Sequence, residues 1–390
     1  MQKIDSGSKV PIKLWIDEIE ESALQQARNV ASFPFAFSHV AIMPDAHEGY
    51  GMPIGAVLAA KDAIVPNAVG VDIGCGMCAV KTNIKTFQID QKILKKILSE
   101  IRKKIPLGFN HHKSAQDSSL MPKNYDISSM EIVSREYKSA LKQLGTLGGG
   151  NHFIEIQKDK NDFLWIMIHS GSRNIGLKVA EHYNKKAAKF CEKYNLPVIP
   201  KADLSYFPIE SKEASEYIRE MNYCIEFAFS NRKLMMNRIL ETFAENFAIF
   251  YSGEIINIAH NYASLEEHFG ENVYVHRKGA TSAKKGETGI IPGSQGTNSY
   301  ITEGLGNPES FMSCSHGAGR VMSRKKAIKS LDLHKEVKIL EEKGIIHSIR
   351  CQRDLEEAAS AYKNIHEVMN FQKDLVKIKY ELSPLAVIKG

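Results

Sequence analysis

Hydrophobic and polar positions follow two rhythms along this chain. Short runs of β-branched and aliphatic residues broken by glycine predict strands and loops in "HVAIMPDAHEGYG" (39–51) and "AVGVDIGCGMCAVKTNI" (68–84). "FLWIMIHSGSRNIG" (163–176) reads as an apolar strand ending in a polar loop. Between these pieces a period near 3.6 predicts amphipathic helices over 88–105, 131–145 and about 174–195. The strongest helical signal lies at about 211–248, where Ile218, Met221, Ile225, Phe229, Met236 and Ile239 recur as a core stripe. Short strands and glycine loops return from 254 to 320, followed by helices near 324–342 and 353–372. The pattern is that of a mixed α/β or α+β protein with its polar motifs confined to loops, where chemistry is usually carried. No internal repeat, low-complexity stretch or Gly/Ser/Pro linker divides the chain.

Composition changes this picture little. With 390 residues and 43% hydrophobic content the chain can bury a large core. No run of 18 apolar residues occurs, and "MQKIDSGSKVPIKLW" lacks the apolar stretch of a signal peptide, so a cytoplasmic location is expected. Six scattered cysteines are too sparse for a disulfide scaffold and fit free thiols. A net charge of +6 is compatible with a polyanionic partner without demanding one.

The candidate chemistry lies in the loops. Cys75 and Cys78 form a CxxC, but no βαβ unit or second Cys/His pair accompanies them, and "AVKTNIK" after them reads as strand. A dinucleotide loop fails for the same reason, and neither a GxxxxGK[ST] loop nor a GxSxG elbow occurs. Metal ligation survives this sorting. Asp72 and Cys75 frame a glycine-rich turn, and His152, His169 and His260 stand at strand ends beside glycine or polar residues. One thiolate, one carboxylate and three imidazoles suit borderline divalent ions from manganese to zinc. "HRKGATSAKKGETGIIPGSQGTNSY" (276–300) and "SCSHGAGR" (313–320) combine small residues with cationic or hydroxyl side chains, a pattern that suits an anion. Within the second, His316 has little apolar packing and can serve as nucleophile or acid–base catalyst.

Taken together these segments resemble the RtcB family of GTP-dependent RNA-splicing ligases. The resemblance is carried by "MPDAHEGYGMPIGAV", "VGVDIGCGM", "LGTLGGGNHFIEI", "HSGSRNIG", "HNYA", "HRKGATSA", "PGSQGTNSY", "SCSHGAGR", "AYKNI" and "PLAVIKG", in order from residue 43 to 390. It implies one α+β catalytic domain over 1–390, with mixed or antiparallel sheets around a central two-metal cleft and peripheral helices. It further implies two manganese ions bridged by Cys75, one completed by His152 and His169 and the other by Asp72 and His260, with glycines clearing the approach and Cys78 a spectator.

By the same resemblance His316 attacks the α-phosphate of GTP to give a histidine–GMP intermediate, and Asp45 orients its ring. GMP then passes to an RNA 3′-phosphate, opened first from a 2′,3′-cyclic phosphate where needed, and a 5′-hydroxyl displaces it. The implied guanylate pocket draws on Asn151, His152, Phe153, Ile154, Glu155, His260, Asn261, Pro292, Gly293, Ser294, Gln295, Ser299, His316, Gly317, Ala318, Gly319 and Lys389. Arg173 is the implied phosphate or RNA contact, and an archease-like activator accompanies some family members. Three positions depart from the family: Gln295 replaces the more usual methionine, "EEAASAYKNI" lacks a proline, and Cys78 stands where asparagine is frequent. The rival readings are a metal-dependent phosphoesterase opening cyclic phosphates without ligation, and a non-enzymatic RNA-binding protein.

Overall fold

The computed structural model describes residues 1–199, 202–248, 250 and 252–390. Two large sheets organise them. The first has six strands in the order Lys3–Asp5, Ile12–Leu14, Ala36–His47, Ile54–Ala60, Glu271–Lys278 and Asn261–His268. Its pairs are antiparallel except that of Ile12–Leu14 with Ala36–His47. The second has seven strands in the order Ile256–Ala259, Gly76–Lys85, Phe163–Ser170, Phe153–Asp159, Val376–Lys389, Ser299–Gly304 and Thr288–Ile291, all antiparallel. Ala280–Ser282 and Ser313–Ser315 form a small separate ribbon.

Both large sheets are covered on both faces, so their strands read as apolar runs rather than clean alternations. In the second sheet Cys78, Val80, Ile154, Ile156, Ile166 and Ile168 face the helices Gln91–Lys104 and Lys212–Asn246 through Ile97, Ile101, Met235, Met236 and Ile239. The alternate positions Met77, Ala79, Trp165 and Met167 pack against Ile290, Ile301 and Leu382. In the first sheet Val40, Ile42, Ala56 and Leu58 bury the helix Glu21–Ala31 through Ala27, Val30 and Ala31. Ala41, Met43, Val57 and Ala59 occupy the other face.

Most predicted elements are present: Gln91–Lys104, Glu131–Gln143, Arg173–Lys193 and Lys212–Asn246 match the four central helices to within a few residues. Three expectations are corrected. The long helix buries Tyr217, Met221, Cys224, Phe227, Ala228, Met235, Met236 and Ile239, whereas Ile218, Ile225 and Phe229 are only half-buried at the edge of this stripe. The helix expected at 324–342 is two, Arg324–Ser330 and Leu333–Glu342, because the Asp332 carboxylate accepts the Lys335 N–H (2.8 Å) and starts the second. Over 353–372 only Ile365–Phe371 is α-helical. The preceding segment makes two short 3-10 turns, and Asn364 caps the helix by accepting from His366 N. No helix among the described residues is long and apolar enough to cross a membrane.

Candidate metal centre and adjoining cavity

One end of the second sheet gathers the predicted ligands. Cys75 immediately precedes the strand Gly76–Lys85, His152 precedes Phe153–Asp159, and His169 lies next to last in Phe163–Ser170. His260 is the residue at which the chain leaves the second sheet after Ile256–Ala259 and enters the first at Asn261–His268. Strand register therefore sets the site: Met77 pairs with His169, His169 with Phe153, and Ala259 with Gly76. The His260 N–H donates to Cys75 O (2.8 Å) and Gly74 N–H to Asn261 O (2.7 Å), locking the Asp72–Cys75 turn to the crossover.

Two glycines make that turn possible, for a reason other than the one the resemblance implied. A Cβ on Gly76 would lie 1.9 Å from Ile258 O, and one on Gly74 would lie 2.8 Å from Ile225 Cα. Their missing side chains admit a neighbouring strand and the long helix. Gly76→Ala is expected to cost roughly 3 kcal/mol or more, as overpacking against rigid backbone does. A urea titration at fixed temperature checks this, and an unchanged midpoint would refute the packing argument.

Beneath the turn lies a residue that periodicity alone presents as an ordinary helix position. The buried Arg232 guanidinium donates to Gly74 O (2.8 Å), Ser170 O (2.9 Å) and Asn257 Oδ1 (2.7 Å). Burial lowers its pKa to about 10, with Cys78, Cys75 and Asp72 opposing. Next to it Asn231 Oδ1 accepts from Gly145 N (2.7 Å) and Thr146 N (3.1 Å), and its Nδ2 donates to Thr146 O, Ser170 Oγ and Gly171 O (3.2 Å each). Together they tie three ligand-bearing loops to one helix.

The five donors fall into two groups that share Cys75: Asp72–Cys75–His152 and Cys75–His169–His260, with ligand atoms within 4.8 Å of one another in each. This corrects the division implied by the resemblance, in which His152 and His169 stood together. His152 Nε2 lies 3.0 Å from Asp72 Oδ2, and His169 Nε2 lies 3.3 Å from His260 Nε2. Cys75 Sγ sits 3.5 Å from His152 Nε2 and 3.3 Å from His169 Nε2.

The donor chemistry fits divalent cations. His152 Nδ1 donates to Leu147 O (3.0 Å) and His169 Nδ1 to Asn151 O (3.1 Å), which leaves each Nε2 a free lone pair. Burial holds His169 and His260 well below the ordinary histidine value, so both rings are neutral. The His169 Nε2 lone pair faces His260 Nε2, whose ring has no partner at Nδ1 to fix its tautomer, so either the His260 Nε2 hydrogen or a cation fills the gap. Burial first, then Asp72, pushes the Cys75 thiol far up, and a bound divalent ion would reverse that preference and stabilise the thiolate.

His316 lies on the other side of His260, their ring centroids 4.8 Å apart. It follows the small ribbon strand Ser313–Ser315, whereas its partner Asp45 comes from Ala36–His47 of the first sheet. Asp45 Oδ2 accepts from His316 Nδ1 (2.6 Å) and from the backbone N–H groups of His316 (3.0 Å) and Gly317 (3.2 Å). Burial alone would raise this carboxyl; the His316 imidazole, by charge and hydrogen bond, together with Lys363 and His47, holds it below the usual carboxylate range. The bond at Nδ1 leaves Nε2 as the ring nitrogen that Asp45 does not engage.

A cavity of about 530 Å³ opens beside His316 and His169. Of the residues expected in a nucleotide pocket, Asn151, Phe153, Glu155, Pro292, Gly293, Ser294, Gln295, His316, Gly317, Ala318, Gly319 and Lys389 line it. Others stand back from it. Ile154 is buried in the hydrophobic core, because it is the strand residue between two cavity-facing ones. His152 and His260 face the ligand cluster, and Asn261 braces the turn through Asp72 O (3.1 Å) and Gly279 N (2.8 Å). Ser299 Oγ supports the 292–295 turn by accepting from Gly293 N (3.1 Å). Arg173 lies outside the cavity, donating to Thr146 Oγ1 (3.2 Å) and Gly108 O (3.1 Å), where its charge reaches Asp72. At the cavity floor burial pushes the Glu155 carboxyl up to about 8, against the pull of Gln157 and Lys389.

The sequence reading missed one wall. Arg320, Arg324, Glu357 and Tyr362 line the cavity, with Glu357 accepting from Arg320 Nη1 (3.2 Å), Arg324 Nε (2.7 Å) and the Tyr362 hydroxyl. Arg320 and Tyr362 lie in "SCSHGAGR" and "AYKNI", so the motifs held the signal although no role was read from them.

The fold and this donor set define an α+β protein with a candidate dinuclear metal centre opening onto a cavity of nucleotide size. The chain belongs to the RtcB family: the family model described as "tRNA-splicing ligase RtcB" matches residues 26–390. It is 40% identical to the RNA-splicing ligase RtcB of Escherichia coli K12, over 97% of both chains. It is also 33% identical to the tRNA-splicing ligase RtcB of Nanoarchaeum equitans, with 98% of this chain and 95% of the relative covered. The Thermococcus kodakarensis tRNA-splicing ligase RtcB is 32% identical, with 100% and 96% covered.

Proposed function

We propose that the protein is a GTP- and manganese-dependent RNA ligase, joining 3′-phosphate or 2′,3′-cyclic phosphate ends to 5′-hydroxyl ends in RNA repair or tRNA splicing. Its whole length would act as one catalytic domain. The observation that carries this reading is the Asp45–His316 pair beside the ligand cluster: an imidazole whose Nδ1 hydrogen is held by Asp45, leaving Nε2 outside that bond, at the mouth of a cavity. A metallophosphoesterase needs no such oriented nucleophile.

In this reading Asp72, Cys75, His152, His169 and His260 would hold two divalent cations, whose chemistry would be to offset charge developing on the phosphates. His316 Nε2 attacks the α-phosphorus of GTP, a P–N bond forms, and the bond to pyrophosphate breaks. Asp45 keeps the Nδ1 proton and stabilises the charged ring. An oxygen of the RNA 3′-phosphate then takes the GMP, freeing His316. The 5′-hydroxyl attacks that activated 3′-phosphate and expels GMP. Glu155 and Lys389 would meet the guanine, whose N–H donors and carbonyl acceptor complement a carboxyl and an ammonium. Arg173, whose Nε and Nη2 are held by Thr146 and Gly108, would meet RNA phosphate through Nη1.

Incubation of the wild-type protein with manganese and GTP labelled at the α-phosphate is expected to leave label on the denatured protein. GTP labelled at the γ-phosphate should leave none. A denaturing gel with 3′-phosphate and 5′-hydroxyl RNA should show a joined product that requires GTP. Opening of cyclic ends without joining or GTP would give the phosphoesterase reading instead.

A further inference from the structure

A second cavity, of about 430 Å³, adjoins the first and shares Gln295, Glu357 and Lys389 with it. It runs between the turn Leu107–Asn110 and the segment Ser348–Glu357. Its volume falls within the roughly 300–1,000 Å³ of ordinary ligand sites.

The ring of Phe109 stands on its rim, 95% exposed. That exposure does not come from a loose loop. Gly108 N–H donates to Gly148 O (3.0 Å), Arg173 Nη2 to Gly108 O (3.1 Å), Asn110 N–H to Leu107 O (3.1 Å) and Leu147 N–H to Pro106 O (3.0 Å). A turn anchored on both sides thus presents a bare aromatic face to solvent, and one of its anchors is the arginine beside Asp72.

The opposite wall carries two like charges. Arg350 lines the cavity, and Arg102 reaches the same wall by donating to Ser348 Oγ (3.3 Å). They are close enough that Arg350, after burial, depresses the Arg102 guanidinium. Asp354 and Glu356 line the same wall, and Asp354 Oδ2, which accepts the backbone N–H groups of Arg350 (2.8 Å) and Cys351 (3.2 Å), makes a loose ion pair with Arg350 Nε at 3.9 Å. Glu357 is committed to Arg320 and Arg324. Arg102 has no ion pair among the described residues, so the two guanidinium groups share one loosely held carboxylate, and an anion between them would relieve their remaining repulsion.

An exposed aromatic near guanidinium groups is one way proteins hold single-stranded nucleic acid, with a base stacked on the ring and the backbone on the cations. We propose that this second cavity is a subsite for one unpaired nucleotide of the RNA strand, its base on Phe109 and its phosphate against Arg102 and Arg350. This rests on the RNA-ligase reading above and assigns these residues to RNA rather than to GTP.

The test uses the full chain and a short single-stranded RNA with a 3′-phosphate and 2-aminopurine near that end. Stacking on Phe109 should quench the fluorophore. Phe109→Ala and Phe109→Leu should each abolish the quench and weaken binding about ten-fold or more, as loss of one base–aromatic stack does. Phe109→Trp should restore both, which a merely structural or greasy contact would not require. Arg102→Gln with Arg350→Gln should weaken binding and flatten its salt dependence. Covalent labelling by GTP without RNA should be unchanged in every variant. Equal RNA affinity and quench in Phe109→Ala and wild type would overturn the subsite, including in favour of a protein partner at this face. Absence of GTP labelling in the wild type would instead remove the ligase reading on which it rests.

Discussion

Replacing His316 with alanine is expected to abolish transfer of labelled GMP to the protein and all RNA joining, a loss on the order of 10⁴-fold or more. The side chain is partly exposed to the cavity and its removal breaks one hydrogen bond, so the variant should keep its fold and its metal content. Asp45→Asn separates nucleophile from orientation. The carboxylate holds the imidazole with its proton on Nδ1. A carboxamide that turns its NH₂ toward that nitrogen favours the opposite tautomer and takes away the Nε2 lone pair. The expected fall is roughly 10²–10⁴-fold, by analogy with the Asp of a Ser-His-Asp triad. Quantified label per protein and a thermal melt check both variants. His316→Ala still accepting label at the wild-type rate would assign the nucleophile elsewhere.

The second large effect is expected at Cys75. Both donor groups include its sulfur, so Cys75→Ala should disrupt both metal positions at once, whereas Asp72→Ala or His260→Ala should chiefly disrupt one. Elemental analysis after dialysis should find little manganese on Cys75→Ala. Joining should fall roughly 10³-fold or more, since several kcal/mol of charge stabilisation is lost. Added manganese should raise the melting temperature of the wild type and not of the variant. A Cys75→Ala protein that binds two ions normally would dismiss the shared sulfur.

The ligand residues were legible because each stands where a strand meets glycine or a polar residue, a setting with no packing need for imidazole or thiol. Their grouping was not. Whether His152 sits nearer Asp72 or His169 depends on the register of three strands that are adjacent in space and far apart in sequence. The long helix was legible in length, but its stripe was read slightly off register, which hid Asn231 and Arg232 as buried braces of the site. The helix Glu21–Ala31 escaped notice because it buries mainly alanines, which carry little periodic signal. A helix was expected over 353–372, whereas Glu357 is spent on Arg320 and Arg324 and the chain turns to meet them.

The strand Val376–Lys389 follows every other described strand in the chain, yet it lies inside the seven-stranded sheet, between Phe153–Asp159 and Ser299–Gly304. Without it the pairs on either side, Phe153–Asp159 with Phe163–Ser170 and Ser299–Gly304 with Thr288–Ile291, share no common partner. Lys389, which lines the cavity with Glu155, rides on that same strand, so joining the two parts of the sheet and closing the cavity floor are a single event.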